Sequence, residues 1–257
     1  MSTPASANGA SHDRLTERLN ANSKKIHKRS NAMLLAKVAT LFTDRTLYGM
    51  AIGQFYPIFV ELEGALRAAV ESDERIAPLK PTLQPLWRVP AYEADLAFYL
   101  GPDWRARIPA SKAVDAYVAR LREVAVEWPL LLLAHTFTQH TAGLSGGRVV
   151  KRMARKYMHL PEDQGTAIFE FPGGVELKEA FKARLDAVGQ GLSEEEVQAV
   201  LDEQIVAFEH NIRIMKEFKI GLLPQLRAPL RLLPPHVLAA AAALLAAVLA
   251  AVVYRRA

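Results

Sequence analysis

The chain has 257 residues, a formal net charge of +5 and no cysteine, and 51% of its residues are hydrophobic. This length fits one domain, or one domain with an appendage, and supplies enough apolar residues for a sizeable core. The lack of cysteine excludes disulfides, thiolate metal sites and cysteine nucleophiles. No dense Lys/Arg run carries interleaved aromatic residues, so nucleic acid is not an expected partner. The basic surface suits an acidic protein, anionic lipid or an anionic ligand instead.

The N-terminal end changes character within its first two dozen residues. Residues 1–11 are small and polar and lack the apolar core of a signal peptide, so we expect a disordered leader. Leu15, Leu19 and Ile26 then fall on one face of a first helix. The folded domain is therefore expected to begin near residue 12.

Cap residues mark the helices of the first half. Thr43 and Asp44 are candidate N-caps before a long apolar segment, Leu47–Leu66, which Pro57 should kink or interrupt. Ser111 can cap a further helix. The apolar stripe of that helix consists of Val114, Tyr117, Val118, Leu121 and Ala125.

The next helix contains an unusual group of glycines. Pro129 suits its first turn, and the pattern runs from there towards Tyr157. Gly143, Gly146 and Gly147 together cost about 3 kcal/mol relative to alanine if their effects add. One explanation is a helix end at a turn. The other is a kink where the backbone approaches a flat ligand, and the apolar pattern that continues afterwards favours the kink.

The last helix of the domain begins at a capping box. Ser193 and Glu196 have the spacing of that motif. The apolar face that follows consists of Val197, Val200, Leu201, Ile205, Phe208, Ile212 and Met215. No segment alternates with period two over several residues, so the sequence predicts an all-α fold with few strands or none.

The C-terminal end predicts a membrane anchor. Residues 219–236 hold four prolines and several cations and are expected to form a linker. Residues 237–254 contain no charged or strongly polar side chain, and Arg255 and Arg256 follow them. Eighteen helical residues span about 27 Å, close to a hydrocarbon core of about 30 Å. A buried alanine-rich helix is the alternative. The anchor interpretation leaves the body of the protein on the cytosolic side.

Several segments resemble haem oxygenases, and they occur in that family's order. LLLAHTFTQHTAGLSGGRVVKRMARK (131–156) resembles the family's distal helix, and KKIHKRSNAM (24–33) its proximal segment. The other segments are YPIFVELEGAL (56–66), EADLAFYLGPDWRARIP (93–109), FEFP (169–172), LKEAFKARLDAV (177–188) and AFEHNIRIMKE (207–217). The resemblance covers about residues 12–218 and implies a single multi-helix haem-oxygenase-like domain. The anchored layout resembles the eukaryotic branch, which implies an endoplasmic reticulum membrane.

The resemblance assigns haem-binding roles to residues of this chain. His27 would ligate the haem iron through a neutral imidazole nitrogen. The distal glycines Gly146 and Gly147 would let the helix pass close over the haem face. The remaining matches are the propionate partners Lys24, Lys178 and Lys182 and the pocket-wall residues Phe208 and Asn211.

The resemblance also implies a reaction and its co-reactants. Haem serves as cofactor and substrate, and O2 and electrons convert it to biliverdin, carbon monoxide and ferrous iron. The electrons would come from NADPH through a flavoprotein reductase, whose acidic face basic residues of this chain would dock. A biliverdin reductase is a further candidate partner.

The sequence departs from the family pattern where the distal polar network is expected. Gly143 stands in place of a carboxylate that orders water near bound oxygen, Gln139 in place of an arginine, and Phe59 in place of a tyrosine. Further departures are Ala142, Phe137, Asn31, Ala32 and Asn20.

These departures leave two hypotheses open. The first is a working haem oxygenase whose network is rebuilt around His140 or Gln139, with His140 as proton relay or as a sixth iron ligand. A packing or surface role for His140 is equally compatible with the sequence. The second hypothesis is a haem sink, carrier or sensor without ring opening, or with peroxidase-like behaviour.

Overall fold

The computed structural model describes residues 14–232 and 236–237, and within them it describes no side chains at 25–36 and 229–230. Helices dominate this part of the chain, which contains no β-strand. The all-α prediction is therefore confirmed for the described residues. The predicted leader, 1–11, and nearly all of the predicted anchor, 237–254, lie outside them.

Twelve α-helices follow one another in the described part of the chain. They are α1 Leu15–Leu41, α2 Arg45–Gly53, α3 Tyr56–Ser72, α4 Lys80–Leu83, α5 Val89–Leu100, α6 Trp104–Arg107, α7 Lys112–Glu127, α8 Leu132–Thr141, α9 Gly147–Met158, α10 Gly174–Gln190, α11 Glu194–Glu217 and α12 Leu222–Leu232. Short 3-10 turns lie at Ala77–Leu79, Gln84–Leu86, Pro129–Leu131 and Ala167–Phe169, and a π-helical segment lies at Ala142–Gly146.

The predicted cap residues begin these helices as expected. The Asp44 carboxylate accepts a hydrogen bond from the Leu47 amide at 2.9 Å, and the Ser111 hydroxyl accepts one from the Val114 amide at 3.2 Å. The capping box at Ser193 is formed in both directions. Each cap satisfies an amide that has no partner within its own helix.

The apolar segment 47–66 is interrupted, as its proline predicts. Helix α2 ends at Gly53, and α3 begins at Tyr56 with Pro57 in its first turn, where the missing N–H has no partner to lose. The break precedes the proline because, in a continuous helix, Pro57 would have no N–H to donate to the carbonyl of Gly53 and its ring would clash with that carbonyl.

Two apolar clusters form the core. The larger joins α1, α3, α7, α8, α10 and α11 around Leu19, Tyr117 and Phe181. The smaller joins α2, α5 and α9 around Tyr48, Leu96 and Met158. Helix α8 lies at the centre, since every residue from Leu132 to His140 is buried. The first part of the segment that resembles the distal helix, residues 132–140, is therefore enclosed by packing.

The region predicted to be a linker contains a helix. Helix α12 occupies 222–232 within the predicted linker 219–236 and packs on α1 through Ala228, which is buried. Pro224 falls in its first turn, where proline is tolerated. Among the residues that the structure describes, no helix is long and apolar enough to cross a membrane.

Candidate functional site

The distal helix runs through the glycines without ending. Helix α8 passes directly into the π segment Ala142–Gly146, which passes into α9. The glycines therefore do not end the helix, and the turn interpretation is wrong, whereas the approach of the backbone to a flat ligand stays a prediction. A π-helical turn widens the helix locally, and such turns are frequent at functional sites.

One face of this distorted helix is open and carries small side chains. Ala142, Ser145 and Gly146 are exposed, and Val149 continues the same stripe one turn later. A Cβ added to Gly146 would meet no described atom within 4 Å. A planar molecule can therefore lie close to the backbone along this stripe.

The opposite face of the same segment packs on two phenylalanines. A Cβ on Gly143 would lie 2.9 Å from Cζ of Phe171, and a Cβ on Gly147 would lie 3.1 Å from Cδ1 of Phe169. Real Cβ atoms essentially never come as close as the first of these distances. The Phe171 ring thus occupies the space into which a side chain at position 143 would project.

Buried charged groups hold the phenylalanine loop in place. The Arg88 guanidinium lies 4.1 Å from the Phe171 ring centroid and donates to the Glu170 carbonyl at 2.7 Å. The Asp95 carboxylate accepts hydrogen bonds from the amides of Ala167 and Ile168, each at 3.0 Å. Because a buried charge without partners is costly, these bonds fix the loop firmly against the distal helix.

Helix α10 contacts both α1 and the π segment and carries two of the predicted propionate partners. Lys178 and Lys182 lie one turn apart and are both half-buried. Lys182 also contacts the Glu179 carboxylate at 3.1 Å. Lys178 lines a cavity of about 460 Å³ beside the glycines. Its lining combines apolar residues with the cations Arg148, Lys151 and Lys178, and it includes one carboxylate, Glu170, which pairs with Lys151 at 2.8 Å.

A chain of hydrogen bonds runs through the core behind Gln139. The Gln139 amide nitrogen donates to the Tyr117 hydroxyl at 3.0 Å and to Oδ1 of Asn211 at 2.9 Å. The Tyr117 hydroxyl lies 3.0 Å from Nδ1 of His135, and Nε2 of His135 lies 2.9 Å from the Glu203 carboxylate. The chain therefore links α7, α8 and α11.

The hydrogen-bond donors and acceptors along this series of side chains can be assigned in only one way. Since Gln139 donates to the Tyr117 oxygen, the Tyr117 hydroxyl is free to donate to Nδ1 of His135, which then carries its hydrogen on Nε2 and donates to Glu203. Burial lowers the pKa of His135, so the ring is neutral at pH 7. Burial also opposes ionisation of Glu203, but hydrogen bonds from His135 and Arg120 outweigh it and lower the pKa of Glu203 to about 2.

His140 lies in the core. Its Nδ1 donates to the Thr136 carbonyl at 3.0 Å, and its ring packs between the rings of Phe59 and Phe181. Burial lowers the pKa of His140 to about 4. This placement favours the packing role over the proton relay and the sixth-ligand role.

Comparison with known proteins identifies the family. The model of the family described as "Heme oxygenase" matches residues 13–217. Heme oxygenase 1 of Bos taurus is 32% identical over 216 residues, which cover 82% of this chain and 73% of the relative. The solved heme oxygenase 2 of Chlamydomonas reinhardtii, determined without heme, is 40% identical with a TM-score of 0.78, covering 82% of this chain and all of the other (100%). The heme- and NO-bound heme oxygenase-2 of Synechocystis is 28% identical with a TM-score of 0.73, covering 80% and 85%.

The chain belongs to the haem oxygenase family. Its fold and its distal helix are those predicted from the segments that resemble haem oxygenases.

The described residues fit a haem, which is a flat apolar ring with two carboxylates. The exposed stripe at Ala142, Ser145 and Gly146 offers a face without bulky side chains, and α10, which contacts the π segment, carries Lys178 and Lys182. A lysine ammonium and a carboxylate form a charge-assisted hydrogen bond. The described residues of this haem oxygenase therefore provide a surface for the ring and cations for its carboxylates.

The predicted haem-binding residues are distributed over five elements of the haem oxygenase fold, namely α1, the π segment, α9, α10 and α11. His27 lies on α1, but its side chain is outside the described set, and Lys24 is exposed on the same helix. Phe208 and Asn211 are half-buried on α11. The structure joins one predicted pair directly, namely Gln139 and Asn211. The binding roles of these residues stay predictions.

The sequence alone does not identify the polar residues that form the hydrogen-bond chain with Gln139. The sequence pattern places Tyr117 on an apolar stripe and predicts no functional role for His135 or Glu203. The available signal was His135 itself, a titratable side chain next to the apolar run 130–134. A polar residue buried in such a run needs a partner, and here the partner comes from another helix.

Proposed function

We infer that this chain is a haem oxygenase, which uses O2 and reductase-supplied electrons to convert haem to biliverdin, carbon monoxide and ferrous iron. The observation that carries this conclusion is the continuous distal helix, whose π segment presents an open stripe of small residues and contacts α10, the helix that carries Lys178 and Lys182. Haem is cofactor and substrate, and its iron is where O2 is activated when haem is bound.

The chain's own residues bind and orient the substrate. We propose that His27 on α1 would ligate the iron and that the stripe at Gly146 would lie against the ring. Lys178 and Lys182, with Lys24, would pair with the propionates and so set the rotation of the ring. That rotation decides which edge of the macrocycle faces the distal helix.

The distal polar groups would hold and supply protons. Asn211 and Gln139 form the end of the hydrogen-bond chain predicted to lie nearest the haem, and the Tyr117 hydroxyl follows them. We propose that water bound at Asn211 takes the place of water ordered by a carboxylate at position 143. The side-chain amide of Gln139 donates to Oδ1 of Asn211 and so fixes the orientation of the Asn211 side chain. In this orientation Nδ2 of Asn211 can donate to a bound water.

The test is a turnover assay of the full chain in detergent. The protein is loaded with haem and supplied with NADPH and a flavoprotein reductase, and biliverdin and carbon monoxide are measured. Decay of the haem absorption band with formation of both products is the expected result. The variant His27→Ala should bind haem without the spectrum of a histidine-ligated iron, and a wild-type spectrum in that variant would refute the ligand assignment.

A second candidate, a haem-binding protein without ring opening, is favoured by one observation. The Phe171 ring fills the space beside Gly143, and the segment 131–156 contains no acidic residue. A haem band that persists under reductase and NADPH, with haem still bound, would support this candidate.

We propose further that the chain is anchored through residues 237–254 in the endoplasmic reticulum membrane with its domain facing the cytosol. The support is the uninterrupted apolar sequence and the two arginines after it. In cells, the full chain should resist alkaline carbonate extraction and remain sensitive to protease added outside intact microsomes. Release into the carbonate supernatant would contradict the anchor.

A further inference from the structure

Helix α12 presents three leucines to the surroundings of the protein. The exposed fractions are 72% for Leu222, 55% for Leu223 and 63% for Leu226, whereas Ala228 is 3% exposed. At about 100° per residue, the three leucines fall within one arc of about 100°, and Ala228 points away from that arc. The helix therefore has its buried face on the protein and its apolar face turned outwards.

The body of the protein holds this helix in a fixed orientation. Ala228 is buried against the domain, α12 packs on α1, and the Arg231 guanidinium donates to the Thr43 carbonyl. An exposed face of three leucines is unusual for a helix that is already packed, because amphipathic helices normally turn their apolar side inwards. A surface outside the domain that covers the three leucines explains this arrangement.

The charge of the sequence around α12 identifies the kind of surface that covers the leucines. From Lys219 to the last residue the sequence contains five Lys and Arg residues and neither Asp nor Glu. Arg227 is exposed and lies at the edge of the leucine face. Cations beside an apolar helix face are the pattern of helices that lie in the interface of a membrane with anionic lipids.

Chain length places the helix near a membrane. Five Cα–Cα steps separate Leu232, the last residue of α12, from Val237, the first residue of the apolar tail. An extended chain covers at most about 18 Å in five residues. If the tail spans the bilayer, the end of α12 must lie within that distance of the bilayer surface.

We propose that α12 is an interfacial helix that inserts Leu222, Leu223 and Leu226 into the headgroup region of an anionic bilayer. The inference rests on the proposed anchor at 237–254. The tail then provides attachment, and α12 sets the orientation, because α12 packs on α1, the helix that carries the predicted haem ligand. The haem-binding end of α1 would thus keep a constant angle to the membrane.

The lack of cysteine allows a direct test in the full chain. A single cysteine introduced by Leu223→Cys is labelled with an environment-sensitive fluorophore, and the protein is reconstituted into phosphatidylcholine–phosphatidylserine vesicles. Val126→Cys, at a position 84% exposed on α7, is the matched control on the domain. Leu244→Cys reports on the tail.

The expected result is a blue-shifted emission at position 223, quenching by brominated lipid, and iodide quenching several-fold weaker than at position 126. Replacing Arg227 by Glu in the same labelled chain should reduce the lipid quenching at position 223.

Three results would overturn the proposal. If the label at 244 is quenched by brominated lipid and the label at 223 behaves like the one at 126, the anchor holds and the interfacial helix fails. If the labels at 223 and 244 are both open to iodide, the anchor fails, and the proposal fails with it. If position 223 is shielded from iodide but not quenched by lipid, a protein covers the leucines instead.

Discussion

At the scale of single residues, the distal site differs from the family pattern in how one volume is filled. Gly143 lacks the expected carboxylate, and the Phe171 ring lies where that side chain would project. The sequence predicted the missing carboxylate but not its replacement. Phe171 comes from a separate segment, and only the packing of the 167–171 loop, held by Arg88 and Asp95, brings it to Gly143.

Restoring the carboxylate should therefore require two changes. Gly143→Asp alone puts a Cβ 2.9 Å from the Phe171 ring, so we expect a lower melting temperature and no faster biliverdin formation. Gly143→Asp with Phe171→Ala frees the space, and we expect turnover to rise about tenfold or more, within the range of acid–base catalysis. Biliverdin formation by the two variants is compared under identical haem loading.

The control for this comparison is Phe171→Ala alone, which should not accelerate the reaction. Equal rates in the single Gly143→Asp variant and the double variant would mean that Phe171 does not restrict the distal site.

The buried Glu203 makes a second prediction at this scale. Its pKa is about 2 in the fold against about 4.5 in the unfolded chain. The stabilising effect is therefore complete above pH 4.5 and is lost as the pH falls from there towards 2, a loss on the order of 3 kcal/mol. Urea unfolding of wild type at several pH values in that window should show this decline, and Glu203→Gln should show a smaller one.

Glu195→Gln, at an exposed carboxylate on the same helix, is the matched control and should keep the wild-type pH dependence. A decline that is equally steep in wild type and Glu203→Gln would contradict the assigned pKa.

At the scale of secondary-structure elements, local sequence was a good guide. The caps at Asp44, Ser111 and Ser193 begin their helices because each satisfies amides of its own first turn, which is a local requirement. The π segment at the glycines and the helix within 219–236 were less predictable. Both depend on packing, the first against the phenylalanine loop and the second against α1.

Helix α9 supplies a prediction about the reductase. The cations of this helix form two groups. Lys151 and Arg155 contact the Glu170 carboxylate. The other group is exposed at intervals of four residues and consists of Arg148, Arg152 and Lys156. The exposed row suits an acidic protein surface. Arg152→Glu with Lys156→Glu should raise the KM for the reductase several-fold and weaken its dependence on salt, with haem affinity unchanged. KM is measured at two ionic strengths.

Arg184→Glu, an exposed charge reversal on α10, serves as the control and should leave this KM near the wild-type value. If both reversals raise KM equally, net charge rather than α9 governs the encounter.

At the scale of the whole molecule, the predicted haem site joins elements that are far apart in the chain. His27 lies on α1, Gly146 in the π segment, Lys178 on α10 and Asn211 on α11. The resemblance covered these segments in order, so the sequence predicts that these elements meet, and in the structure α10 contacts both α1 and the π segment, and α11 contacts α1. It did not predict how α8 and α11 are tied together, because the contacts among Tyr117, His135 and Glu203 join residues distant in sequence.

A ligand that bridges four separate elements should stabilise the whole domain. Haem that binds only the folded protein adds about 2.7 kcal/mol at a free concentration one hundred times Kd. In a domain of this size that corresponds to a rise in melting temperature of about 5–10 °C. Circular dichroism of the full chain in detergent, with and without haem, measures the shift, and His27→Ala should reduce it at the same haem concentration. An unchanged melting temperature in wild type with haem demonstrably bound would mean that haem binds the folded and the unfolded chain equally well, and so does not need the site that these four elements form.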